Sequence, residues 1–142
     1  SLANKKAMSL SDQFCVERHK DSFLDLVKNK LDIIFANEHE IKSLIDTNNF
    51  EEVITFGKQL GKLLVITKGE KGSIVIKNNE VTECKSKLNL KIVDLTGAGD
   101  LFAAGFLHGF ISNFAMKECL EKGTEMSSKI IQKVGARLNF TQ

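Results

Sequence analysis

The sequence predicts an α/β fold, a mostly parallel sheet covered by helices on both faces with a small antiparallel strand section. Short apolar runs, Leu31–Ala36 (interrupted only at Asp32) and Leu63–Ile66 among them, have the character of strands buried on both faces. They alternate with helical-period segments of about ten to fifteen residues, the pattern of strand-helix-strand units. Beyond Gly72 the alternation gives way to two short strand-like runs, Ser73–Ile76 and Glu80–Cys84, around Asn78-Asn79, the pattern of a hairpin.

Composition narrows the function classes. A chain of 142 residues with 42% hydrophobic content suits one soluble domain with a sizeable core. Its 20 basic and 18 acidic side chains are interspersed and leave a net charge of +2, so no basic stripe is offered to nucleic acid or to an anionic membrane. No apolar run reaches the length of a membrane span, and the N-terminus lacks a signal-peptide core. Cys15, Cys84 and Cys119 are odd in number and outside metal-ligand spacing, so the expected setting is the reducing cytoplasm. His19, His39 and His108 are equally scattered and are expected to be solvated or packed. The chain starts at Ser1 and is in strand-like sequence by Lys6, as expected of a piece cut from a longer protein.

In chain order, Ala7–Leu10 is expected to form a short strand that exits through Ser11-Asp12-Gln13. From Arg18 to Lys30, Phe23, Leu24, Leu26 and Val27 recur at helical spacing. After the buried strand Leu31–Ala36, Asn37 is expected to be the N-cap of a helix carrying Glu38, Glu40, Ile41, Leu44 and Ile45. Phe50–Leu60 is amphipathic through Val53, Ile54, Phe56 and Leu60, and Gly61 is its expected C-cap. Lys62–Thr67 is a strand, Thr67–Gly72 a polar turn, and the hairpin follows. Leu88–Val93 is expected as a further strand, and Ala115–Gly135 as a last helix with Cys119, Leu120, Met126, Ile130, Ile131 and Val134 inward.

Between that strand and that helix, Asp94-Leu95-Thr96-Gly97-Ala98-Gly99-Asp100 joins an apolar strand to an apolar helix through a glycine turn. The helix, with Leu101, Phe102, Ala104, Phe106, Leu107, Phe110 and Ile111, is apolar on nearly every side and is expected to be buried. Gly97 and Gly99 allow several N–H groups to converge ahead of the helix, an anion site. Asp100 in the first turn would repel a phosphate unless it accepts a proton or faces a cation, and a base beside an anion hole suggests group transfer. A dinucleotide fingerprint is disfavoured because Phe102 stands where its third small residue belongs, and Gly57–Leu63 has the wrong spacing for a Walker loop. A plain strand-to-helix turn with a capping Asp stays open on these residues alone. Ligands of such sheets bind outside the carboxyl ends of strands, where three polar turns fall: Asn37–Glu40, Thr67–Gly72 and Gly97–Asp100. One crevice could hold all three. By themselves, Asn37 to Glu40 would be an N-cap with a solvated Glu, and Thr67 to Gly72 a hairpin turn.

At these three turns the chain resembles the ribokinase-like, phosphofructokinase B-type family of sugar and nucleoside kinases. Asp94 to Phe106 is similar to that family's C-terminal signature, D-T-x-G-A-G-D followed by an apolar helix, with Leu95 in place of the usual Thr. Asn37-Glu38-His39-Glu40 is similar to its N-x-x-E element, and Thr67-Lys68-Gly69-Glu70-Lys71-Gly72 to its nucleotide-contacting T-x-G-x-x-G turn. Ser9 to Arg18, with Phe35-Ala36-Asn37, further resembles the bacterial adenosine kinase branch. The resemblance implies a ribokinase-like, Rossmann-type sheet of which residues 1–142 are the C-terminal part, the N-terminal half and lid being absent. It implies ATP-dependent phosphoryl transfer to a hydroxymethyl group of a small-molecule nucleoside, adenosine foremost, or of a sugar such as ribose, fructose or a keto-deoxy sugar acid.

Asp100 would be the base, and the N–H groups of Gly97, Ala98, Gly99 and Asp100 the anion hole. Asn37 and Glu40 would order Mg²⁺ through its waters, and Thr67, Lys68, Gly69 and Gly72 would shape the nucleotide site. Asp94 and the region of Gly135 resemble a monovalent-cation site, for K⁺. A non-catalytic nucleotide-binding module of the same fold is the rival; the intact Asp100, Gly97 and Gly99 favour the enzyme. Residues 1–142 alone are expected to lack kinase activity.

Overall fold

A computed structural model describes residues 7–9, 19–85 and 98–127. They build β1 (Ala7–Ser9), α1 (Lys20–Asn29), β2 (Ile33–Asn37), α2 (Glu38–Leu44), α3 (Phe50–Leu60), β3 (Leu63–Thr67), a short 3₁₀ turn (Gly69–Lys71), β4 (Ser73–Lys77), β5 (Glu80–Cys84) and α4 (Ala98–Ile111). A further helix, α5, occupies 116–127. The expected strand Leu88–Val93, the expected helix beyond 127, Cys15, Asp94, Gly97 and residues 10–18 of the adenosine kinase-like stretch lie outside the described residues. The described residues divide into two compact units, one made of 7–9, 19–68 and 74–82, the other of 69–73, 83–85 and 98–127.

The five strands form one sheet in the order β1-β2-β3-β4-β5. β1 is parallel to β2, with Met8 opposite Ile34, and β2 is parallel to β3, with Ile34 opposite Leu64. The connections from β3 to β4 and from β4 to β5 are too short for a crossover, so these pairs run antiparallel. The α/β class and the antiparallel section therefore stand as expected. β-branched and aromatic side chains make up most of β2, β3 and β4, where they fit a pleated, buried surface.

Period-two alternation divides these strands into two sets. Ile34, Ala36, Leu64, Ile66, Ile74 and Ile76 lie on the face covered by α1, α2 and α3, in one core with Val27, Leu31, Ile41, Leu44 and Val53. On the opposite face Ile33, Phe35, Leu63, Val65 and Val75 are buried as well. Burial on both faces explains why the strands carry unbroken apolar runs. The helices are set by local chemistry: Asn49 caps α3 by accepting from the Glu51 N–H at 3.0 Å, and Gly61 ends it in the left-handed region at φ 72°.

In the second unit α4 and α5 form a helical hairpin. Asn113 takes a positive φ of 62°, and the Phe114 N–H reaches back to the Gly109 carbonyl at 2.9 Å, the Schellman closure of a helix end. The helices then approach so closely that a Cβ on Gly105 would come within 2.6 Å of the Lys122 carbonyl oxygen. Phe102, Phe106, Cys119 and Leu120 are buried. Burial, and after it the neighbouring Glu118 carboxylate, push the Cys119 thiol up, so it stays protonated at neutral pH.

One expectation is corrected here. α4 is not buried all round: Ala104 and His108 are exposed, and Ile111 is 60% exposed. Burial follows the stripe of Phe102, Gly105, Phe106 and Gly109, where α5 packs, and not the apolar composition of the helix as a whole.

Replacing Ile66 by Ala should cost about 2–5 kcal/mol, since it empties space in a fully buried layer. Asn49→Ala should cost about 1 kcal/mol, the worth of one N-cap. Urea unfolding at unchanged slope measures both, and an Ile66→Ala loss no larger than that of Asn49→Ala would contradict the core described here.

Candidate active site

β2 and β3 deliver their carboxyl ends side by side. Their parallel register ends with Asn37 opposite Thr67, so two of the polar turns singled out in the sequence start from neighbouring backbone positions. Asn37 leaves the strand with φ −87° and ψ 172° and becomes the N-cap of α2. Its Oδ1 accepts from the Glu40 N–H at 2.7 Å, while Glu40 Oε1 accepts from the Asn37 N–H at 2.8 Å. This is a reciprocal capping box, closing two helix-start donors at once.

The box corrects the solvated Glu that Asn37 to Glu40 suggests in isolation. Glu40 is only 6% exposed, and a buried carboxylate is tolerated where hydrogen bonds hold it. Its neighbours differ: Glu38 pairs with Lys42 at 2.7 Å along the helix surface, and His39 is exposed. The acidic Glu38 and Glu40 both sit in the first turn, where the helix dipole favours negative charge. Among the described residues, no group of three or more His, Cys, Asp or Glu is arranged to hold a metal ion. A single oriented carboxylate suits a cation that keeps most of its waters, as Mg²⁺ does, and does not suit a dedicated protein cage.

Thr67 continues the set of Leu63 and Val65, and the next residue turns the other way. Lys68 lays its ammonium 4.2 Å from the centroid of the Phe50 ring, at the start of α3 on the helix-covered face. A contact of this kind is worth about 0.5–1 kcal/mol at an exposed site. Adjacent residues of the T-x-G-x-x-G turn thus have separate surroundings, Thr67 with Asn37 and Lys68 with Phe50. Sequence reasoning missed Phe50 as a partner of Lys68; its only signal was an aromatic ring at a helix start, which is commonplace.

In the second unit the two glycines of that turn differ. Gly69 has φ 61° and open space where a Cβ would go. Gly72 has φ 100°, its N–H donates to the Gly69 carbonyl at 3.1 Å, and a Cβ there would run into the Cys84 carbonyl oxygen and come 2.8 Å from Lys85 Cα. The fold itself therefore demands Gly72. Directly after it, Ser73 is buried and, among the described residues, its hydroxyl has no hydrogen-bond partner. Its sequence signal was a polar residue heading an otherwise apolar strand. Ala98, Gly99 and Asp100 form the first turn of α4, where helix geometry leaves backbone N–H groups unpaired.

Comparison with known proteins gives a consistent picture. The family described as pfkB family carbohydrate kinase matches residues 2–142. A nucleoside kinase of Methanocaldococcus jannaschii is 28% identical over 121 residues, 85% of this chain and 39% of that protein. A probable sugar kinase of Rhizobium etli superposes with a TM-score of 0.84 at 38% identity, covering 90% of this chain and 39% of that one. The adenosine kinase of Sinorhizobium meliloti does so with a TM-score of 0.81, also at 38% identity, covering 87% and 38%. The chain thus spans about two-fifths of the length of these relatives.

Gly72→Ala should destabilise by about 3 kcal/mol or more, because backbone atoms must move, whereas Gly69→Ala should cost about 1–2 kcal/mol for its left-handed backbone alone. Denaturant midpoints of the two variants test this, and equal losses would contradict the close approach at Gly72.

Proposed function

Because the chain belongs to the pfkB family of carbohydrate kinases, we propose that the whole protein transfers the γ-phosphoryl group of ATP to the hydroxymethyl group of a nucleoside, with adenosine as the preferred acceptor. The observation that carries the proposal is the buried carboxylate of Glu40, held by its capping box where Asn37 and Thr67 end neighbouring parallel strands. Phosphoryl transfer asks mainly for positioning and charge stabilisation, and oriented groups at strand ends supply both.

Asp100 is the base. As the acceptor oxygen bonds to the γ-phosphorus and the bond to the β-bridging oxygen breaks, ADP leaves and the hydroxyl proton passes to the Asp100 carboxylate. An ordinary carboxylate suffices because the hydroxyl becomes acidic only late, in a loose transition state. The N–H groups of Gly97, Ala98, Gly99 and Asp100 hold the charge developing on the transferred group. Thr67, Lys68, Gly69 and Gly72 border the nucleotide. Asn37 and Glu40 form the pair beside Mg²⁺, which when bound would neutralise phosphate charge. Asp94 would face a monovalent cation such as K⁺.

The preference for adenosine rests on the similarity of residues 9–18 to bacterial adenosine kinases, together with the 38% identity to the Sinorhizobium meliloti enzyme. A sugar acceptor is the second reading, supported by equal identity to the probable sugar kinase of Rhizobium etli.

With the whole protein, ADP release should depend on the acceptor, and kcat/KM for adenosine should exceed that for ribose. Asp100→Asn should lower kcat by about 10²- to 10⁴-fold while ATP affinity is kept. Higher kcat/KM for ribose would replace the nucleoside by a sugar, and near-normal turnover of Asp100→Asn would remove Asp100 as the base.

A further inference from the structure

We infer that Phe50 is a positioning residue for the nucleotide site: its ring holds the Lys68 ammonium and thereby fixes the strand end from which the T-x-G-x-x-G turn leaves. This role rests on the proposed placement of that turn beside the nucleotide, and adds to it a residue of α3 that lies outside the turn. The Lys68 Nζ lies 4.2 Å from the centroid of the Phe50 ring, and both side chains are half-buried. Among the described residues Lys68 has no ion pair, whereas Lys20 and Lys42 each reach a carboxylate. The helix dipole gives an ammonium no reason to rest here, since the start of α3 carries partial positive charge. Glu51 and Glu52 in the same first turn offset that charge without pairing with Lys68, so the ring face is its close partner.

The ring is itself fixed. Asn49 caps α3 by accepting from the Glu51 N–H at 3.0 Å, which holds Phe50 at the helix start, and the Phe50 side chain packs against the core that contains Val53 and Ile66. The two limbs of the turn are held in different ways. Gly72 is confined by the Cys84 backbone, whereas Gly69, next to Lys68, has a positive φ and open space where a Cβ would go. A glycine has no side chain with which to anchor the chain and the most backbone freedom to lose, so the direction of this limb comes from the residue before it. Lys68, with its charge on the Phe50 ring, supplies that anchor. A contact of this kind corresponds to about two- to fivefold in an equilibrium.

The test uses the whole protein, unaltered and as Phe50→Leu, Phe50→Tyr, Lys68→Met and Phe50→Leu/Lys68→Met, with its lysines labelled by ¹³C. Phe50→Leu keeps an apolar side chain and removes the ring face, while Phe50→Tyr keeps both. The first readout is the resonance of the Lys68 methylene next to the ammonium, which a ring face shifts upfield and which Lys68→Met identifies by its disappearance. It should be shifted upfield in the unaltered protein and in Phe50→Tyr, should return to the ordinary lysine position in Phe50→Leu, and should stay shifted when ADP saturates the protein. The second readout is the dissociation constant for ADP, which needs no turnover. Phe50→Leu should weaken ADP binding by about two- to fivefold, and Phe50→Tyr should bind as the unaltered protein does. The double variant should be no weaker than Lys68→Met, since a residue acting through another is not additive with it.

Unchanged or tighter ADP binding by Phe50→Leu would overturn the inference, tighter binding meaning that the ring competes with the nucleotide for the lysine. Loss of the upfield shift on adding ADP would overturn it as well, since the ring would then be only a resting place. A double variant weaker than Lys68→Met by the full Phe50→Leu factor would make Phe50 a core residue acting independently of Lys68, and would also overturn it. Amide signals of Gly69 and Gly72 that do not move with ADP would instead remove the turn from the nucleotide site, and the inference would fall with that reading even where the Lys68 shift is observed.

Discussion

The parallel register of β2 with β3 is the constraint on which the candidate site depends. It brings Asn37 and Thr67 to the same level at the carboxyl edge of the sheet, though they are far apart in the chain. Strand register is specified wherever a face is buried, because a slip of one residue would turn every apolar side chain to the wrong side. Here both faces are buried, so the apolar runs that build the core also aim the polar turns that follow them. Core and site are coupled through this register.

At the end of β2 the chain changes from strand to helix within one residue, and the change is managed by hydrogen bonds in place of apolar packing. Asn37 is both the last residue of the strand and the cap of α2. The same two bonds that start the helix also immobilise an acidic side chain at the sheet edge. An exposed cap would contribute only helix stability; with Glu40 buried, it also presets a charged group. Lys68 shows a similar economy on the other side of β3, its ammonium resting on the first residue of α3.

Much of this was legible in the sequence where local rules decide. Phe50–Leu60 and Gly61 could be placed because amphipathic spacing and a left-handed cap are properties of the segment itself. The hairpin at Asn78-Asn79 and the N-cap role of Asn37 were legible for the same reason. The burial of Glu40, the Phe50 partner of Lys68 and the closeness of Gly72 to Cys84 were not legible, because each depends on which distant residues arrive alongside. The same limit explains α4, whose composition suggested burial all round although its closest described partner, α5, covers one stripe. The motifs at Asn37–Glu40 and Thr67–Gly72 were legible only as a family resemblance, since spacing alone left an N-cap and a hairpin turn as sufficient explanations.

The central claim is that the capping box holds Glu40 rigidly at the end of the parallel pair. Amide hydrogen exchange in the whole protein measures it most directly, since both N–H groups of the box would have to open before exchanging. The account predicts that the amides of Asn37 and Glu40 are protected nearly as well as those of Phe35 and Val65 inside the sheet. Exchange as fast as at Glu51, whose N–H bonds to a cap on the exposed surface, would contradict it.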